Sequence, residues 1–296
     1  MEVSAALSLQ CSSWIGPDKV ARRSTGLARP PRERMPPLVR VGYPRRDETS
    51  IRTGRAELKI YCCYKKPSGW ENFHNSFDEA LILQSKSEKV LLHLSGRCIY
   101  LVGMMGSGKT TVGKILSEVL QYAFFDSDKL VEQAVGVSSV AQIFKDYSED
   151  FFRDNESQVL KDLSSMHRLV VATGGGAVIR PINWKHMRKG ITIWLDVPLD
   201  ALARRIIAVG TASRPLLHQE PGDPYTNVFM KLTDLSEKRG KAYANADVRV
   251  SLEHIAAKKG HQDASALTPT DIALEALMKM EDYVTEKAAA LSRRFV

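Results

Sequence analysis

Eight consecutive residues make the sharpest chemical statement in this chain: Gly103-Met104-Met105-Gly106-Ser107-Gly108-Lys109-Thr110. Their spacing satisfies G-x-x-x-x-G-K-[ST]. Glycines at those places let backbone N–H groups turn inward around phosphate oxygens, where a side chain would block approach. A helix opening at Lys109 would aim its N-terminal donors and positive dipole end at the same anion. Lys109 would reach the β- and γ-phosphates, and the Thr110 hydroxyl would ligate Mg²⁺. A glycine-rich turn that binds nothing is the bland alternative. The context speaks against it, because an apolar strand-like run precedes the motif and a helical period follows. ATP or GTP is the expected ligand.

Other residues could face those phosphates. Asp126-Ser127-Asp128 follows a short strand-like run, and alternate residues of an extended segment face the same way. One carboxylate could hold the water shell of Mg²⁺ while the other accepts a hydroxyl proton; a turn with a helix cap is the alternative. Arg153, among aromatics in Phe151-Phe152-Arg153, could bind a carboxylate in bidentate fashion, or simply pair with Glu156 on the helix surface. Thr173-Gly174-Gly175-Gly176-Ala177 follows an apolar run and permits close approach to a ligand. Arg214-Pro215-Leu216-Leu217 opens a segment rich in turn residues, suited to a lid whose arginine offsets charge on a transferring phosphoryl group. Arg239 is either a helix-face charge or a second anion ligand. No Asn-Lys-x-Asp element for guanine occurs. Asp196 lacks the second acid of a motor ATPase, so it is assigned to a strand end or a helix cap.

The elements that must position these residues alternate. Cys98 to Val102, Ala123 to Phe125, Leu169 to Ala172, Ile191 to Leu195 and Val248 to Val250 are strand-like. Val112 to Leu120, Lys129 to Ala134 and Pro269 to Ala289 have helical character. Such alternation implies an α/β fold with a parallel sheet covered on both faces, and ligands gathered outside the carboxyl ends of the strands. The compact domain is expected over residues 95–290, with a loosely held extension over 62–94 and a tail at 291–296.

The chain has 296 residues and a formal net charge of +8. Much of that charge sits at the start. Up to Arg46, nine basic residues (Lys19 and eight arginines) face only Glu2, Asp18 and Glu33. Residues 1–61, rich in Arg, Pro and Ser, cannot bury enough apolar surface to offset their ordering entropy. An Arg-rich, acid-poor start fits an organellar transit peptide; a nucleic-acid-binding arm or an ordinary tail are the alternatives. No nucleic-acid-reading signature appears, and no stretch reaches the ~18 apolar residues of a membrane span. The four cysteines show neither metal spacing nor a disulfide framework.

Taken in order, the glycine-rich phosphate loop, the Asp-x-Asp pair, Phe-Arg, Gly-Gly-Gly, Arg-Pro-Leu-Leu and then Arg239 ahead of Tyr243 resemble shikimate kinase, especially its plant plastid forms, over roughly Ser95 to Tyr283. The resemblance implies a three-layer α/β/α P-loop fold of the nucleoside-monophosphate-kinase-like group, with a parallel five-stranded sheet. It implies transfer of the γ-phosphoryl group of MgATP to the 3-hydroxyl of shikimate. Asp128, Arg153, Gly175 and Arg239, flanked by Gly174 and Gly176, would then bind shikimate, and the two arginines would meet its carboxylate. Gly103, Met104, Met105, Gly106, Ser107, Gly108, Lys109 and Thr110 would bind ATP, with Arg214 closing from the lid. Thr110 and Asp126 would hold Mg²⁺, Arg205 would lie near the adenine, and Asp128, Lys109 and Arg214 would carry catalysis. The partners expected are these small molecules alone, with no nucleic acid and no membrane, in a monomer or weak homo-oligomer located in the plastid. A kinase for another hydroxy acid such as gluconate, and a non-catalytic nucleotide-binding relative, remain as alternatives.

Overall fold

The computed structural model describes residues 70–210, 216–217 and 222–293. The leader at residues 1–61, the start of the extension, Arg214 and the last three residues lie outside the described part. Five strands form one sheet: β1 (Ile99–Val102), β2 (Ala123–Asp126), β3 (Leu169–Ala172), β4 (Ile191–Asp196) and β5 (Val248–Ser251). Their order is β2-β3-β1-β4-β5, and every neighbouring pair is parallel. Position in the sheet explains composition. Central β1 and β3 are buried at every residue and uniformly apolar, as a sheet covered on both faces requires. The edge strands β2 and β5 keep partly exposed positions.

Among the described residues ten helices connect and cover these strands: α1 (Trp70–Leu94), α2 (Lys109–Leu120), α3 (Ser127–Val135), α4 (Val140–Asp146), α5 (Glu149–Leu163), α6 (Pro181–Met187), α7 (Leu199–Val209), α8 (Pro224–Tyr243), α9 (Leu252–Lys258) and α10 (Pro269–Ser292). Short 3₁₀ turns cover Ala177–Ile179 and Ala264–Ala266. Helices α1, α2 and α10 pack on one another. This departs from the loosely held extension expected over 62–94. Leu83, Ser87, Val90 and Leu94 recur at spacings of four and three, and all four are buried. Leu83, Val90 and Leu94 join the domain core, with the small polar Ser87 buried between them. Lys86 adds an ion pair to Glu281 on α10 at 2.7 Å. No described helix is long and apolar enough to cross a membrane.

β1, β2 and β3 each run straight into residues singled out by the sequence. The phosphate loop leaves β1, the Asp pair leaves β2 and the triple glycine leaves β3. Parallel register therefore brings them to one end of the sheet.

Candidate active site

The phosphate loop is shaped by glycines at positive φ. Gly103 has φ +148°, and a Cβ there would lie 2.7 Å from the Leu195 carbonyl oxygen on β4. Gly108, at φ 89°, caps α2 without any side-chain bond, which leaves the helix's first N–H groups open to an anion. Lys109 is buried and donates to Gly103 O and Met104 O, both at 2.8 Å. Burial lowers its ammonium pKa to about 8, against the pull of Asp128 and Asp126. Its charge thus sits over its own loop, next to the acids that follow β2.

Those acids reach the site by a different geometry from the extended pair anticipated. The strand ends at Asp126, and Ser127 already begins α3. Asp126 has two tasks. Its Oδ1 caps α3 by accepting from the N–H groups of Asp128 and Lys129, at 3.2 and 3.4 Å. Its Oδ2 accepts from the Thr110 hydroxyl at 2.9 Å. The cap posed in the sequence is present on one oxygen, and the other is bound to Thr110. Asp128 lies in the first turn of α3. Burial, followed by the nearby negative charges of Glu156 and Asp126, raises its pKa to about 7, against Lys109 and Arg153. Its buried Oδ1 has no hydrogen-bond partner among the described residues.

Arg153 is not a surface residue. It is 6% exposed on α5, bound through Nη1 to Glu156 Oε2 at 2.9 Å and through Nη2 to Glu149 Oε1 at 3.1 Å. Glu156 is fully buried; burial pushes its carboxyl pKa up while Arg153 pulls it down. Its Oε1, like Asp128 Oδ1, is buried without a partner. Arg239, on α8, is also buried and donates to the Gly175 carbonyl at 3.3 Å.

The three glycines after β3 are the joint among these groups, and each meets a different neighbour. A Cβ on Gly174 would lie 2.4 Å from Asp128 Oδ1 and 2.5 Å from Glu156 Oε1. On Gly175 it would approach the Met105 nitrogen of the phosphate loop at 3.3 Å, and on Gly176 it would strike Arg153 Nη2 at 2.3 Å. The turn is fixed from behind by the Ser127 hydroxyl, which accepts from Gly174 N–H at 3.0 Å. Two buried guanidinium groups, an unpartnered carboxylate and a phosphate cradle therefore converge on one glycine turn. Such a set grips a small molecule that carries both an acid and hydroxyl groups.

A family model described as shikimate kinase matches residues 105–275. The chain belongs to the shikimate kinase family. It is 61% identical over 98% of its length to a rice (Oryza sativa subsp. japonica) protein named shikimate kinase 2, chloroplastic, and covers 94% of that protein. It is 52% identical to the tomato (Solanum lycopersicum) chloroplastic shikimate kinase, covering 98% of this chain and all of that one. Among solved structures, an Acinetobacter baumannii shikimate kinase in complex with shikimate superimposes with TM-score 0.53 at 34% identity, over 64% of this chain and 94% of that one.

Within this kinase family frame, sequence reasoning undervalued two residues. Glu156 had been weighed only as a surface partner for Arg153, yet it is wholly buried between Arg153 and Gly174. Tyr243 was noted only for its place after Arg239, yet its hydroxyl donates to the Gly175 carbonyl at 2.6 Å. Helical spacing was the available signal, since Tyr243 lies one turn from Arg239. Arg205 is half-buried on α7, where burial lowers its pKa against Asp263. Asp196 ends β4 and pairs with exposed Arg249 at 2.6 Å, which bears out the strand-end assignment.

Proposed function

We propose that this chain transfers the γ-phosphoryl group of MgATP to the 3-hydroxyl of shikimate, giving shikimate 3-phosphate and ADP. The observation that carries the reading is the arrangement about the glycine turn. Asp128, Arg153 and Arg239 each meet a residue of that turn, and the phosphate loop lies against Gly175. The 3-hydroxyl would meet Asp128, whose unpartnered oxygen can orient it for in-line attack and take its proton. Arg153 and Arg239 would hold the substrate carboxylate away from the phosphates, with Gly174, Gly175 and Gly176 lining the approach. Residues 103–110 would cradle ATP, and Lys109 would leave its backbone carbonyls to follow the γ-phosphate. Arg214 would close from the lid to offset charge in the transition state.

The hydroxyl of Thr110 and the carboxylate of Asp126 are hard oxygen donors, bonded to each other and set beside the cradle, and they suit Mg²⁺. Such an ion keeps waters and nucleotide oxygens as its remaining ligands and neutralises charge on the phosphates. Among the described residues no group of three His, Cys, Asp or Glu residues gathers as an all-protein cage.

The named plant relatives are chloroplastic. We take residues 1–61 as the address that is removed on plastid entry, with α1 retained because its buried stripe belongs to the core. The working enzyme is a monomer or weak homo-oligomer, with shikimate and ATP as its partners. ADP release, coupled to a spectroscopic readout, tests the reading across hydroxy acids. Shikimate should support turnover and gluconate should not. ATP binding without turnover on shikimate would overturn the assignment.

A further inference from the structure

The buried hydroxyl of Tyr243 points to a role that local motifs do not reveal. Its ring is 2% exposed, stacks on Trp194 at 5.8 Å and is nearly parallel to it. The guanidinium of Arg249 covers the Trp194 ring at 4.9 Å. The stack fixes where the hydroxyl points, and it points at the Gly175 carbonyl, 2.6 Å away. The same hydroxyl lies 3.5 Å from Met104 Sδ of the phosphate loop. Arg239, four residues earlier on α8, donates to the same carbonyl oxygen. One backbone acceptor therefore takes two donors from one helix face.

That has a consequence on the other side of the peptide. No cis peptide occurs among the described residues. Across a trans peptide bond the C=O and the following N–H point in opposite directions. Holding Gly175 O toward α8 turns the Gly176 N–H away from that helix, while a side chain at Gly176 would meet Arg153. Among the described residues no acceptor takes up the N–H of Gly176, although the next N–H, that of Ala177, bonds Gly174 O at 3.1 Å. We infer that Tyr243 is a positioning residue that locks the Gly175–Gly176 peptide so that the Gly176 N–H, turned away from α8, is presented to the oxyanion or hydroxyl of the acceptor. A phenylalanine would keep the stack and lose only the lock.

The inference rests on the proposed phosphoryl transfer for its kinetic readout but not for its structural one. The test compares the full chain with Tyr243→Phe. In ¹⁵N-labelled, substrate-free protein the Gly176 amide resonance should move more than those of the phosphate loop. In turnover assays the acceptor kcat/KM should fall about tenfold, as expected for one misdirected hydrogen bond, with KM carrying most of it and the KM for ATP within twofold. An unmoved Gly176 amide would overturn the inference. So would an acceptor KM that stays put or rises in step with that for ATP. If the unaltered chain releases no ADP with shikimate, the functional reading fails, and the amide measurement still decides the role of Tyr243.

Discussion

The two halves of the candidate site are built from different materials. The half we assign to the nucleotide is backbone, shaped by Gly103 and Gly108 and by the open end of α2, with Lys109 folded over it. The half we assign to the acceptor is side-chain charge taken out of water: Arg153, Arg239, Glu156 and Asp128, brought together by three elements that are far apart in sequence. A backbone cradle recognises phosphate through generic dipoles and so suits a substrate shared by many enzymes. Buried charges must be matched one by one, because an uncompensated charge is costly. Specificity for the acceptor should therefore reside in the second half, and the capacity for transfer in the first.

The sharpest break of this division is Lys109→Ala. If the cradle supplies transfer irrespective of acceptor, kcat should fall about 10³-fold with any hydroxy acid tested. Retained turnover in a steady-state assay would remove the lysine from the chemistry. Arg153→Ala should act on one side only. Loss of a buried charged contact typically costs ~2–5 kcal/mol, so the KM for shikimate should rise at least about tenfold while the KM for ATP changes little. Glu156 would be left buried without its partner, and the thermal midpoint should fall as well. Equal losses for both ligands would erase the division of labour.

The halves should also titrate in opposite senses. Asp128 must be ionised to take a proton, and its carboxyl lies near pKa 7 because of burial and the neighbouring Glu156 and Asp126. With ATP saturating, so that bound phosphate keeps Lys109 charged, the kcat/KM for the acceptor should thus hold steady above that pH and fall about tenfold per unit below it. Lys109 must be charged to meet phosphate, and burial brings it to about 8. The kcat/KM for ATP should accordingly fall as pH rises through 8. Two profiles with limbs on the same side would contradict the assignment of these groups to separate halves.

The same division explains what the sequence disclosed. The cradle was legible because contiguous backbone does its work, so eight residues in a row contain nearly the whole device. The alternating apolar runs likewise announced the parallel sheet, because strands buried on both faces must be apolar throughout. The acceptor half was legible as a set of residue types, and it became a site only through the family resemblance. Nothing local distinguishes a buried Arg153–Glu156 pair from an exposed one at the same helical spacing. Asp126 shows the opposite lesson: a helix cap occupies only one oxygen of the carboxylate, and the other is free to bond Thr110, so capping does not exclude a second role.

Helix α1 was the least legible element, and it belongs to neither half. Its stripe of Leu83, Ser87, Val90 and Leu94 includes a serine and is surrounded by exposed Leu81, Ile82 and Leu92, so the apolar period is blurred until α10 and α2 show which face is covered. This makes it the control for the comparison. Leu94 is completely buried, and truncation to alanine leaves a cavity that should cost about 2–5 kcal/mol. Leu94→Ala should therefore lower the denaturation midpoint clearly, while both KM values and the kcat per folded molecule stay within about twofold of the unaltered protein. A kinetic change at either substrate would mean that α1 reaches into the site through the start of β1, five residues beyond the helix end, and that the phosphate loop is held from below as well as by its own glycines.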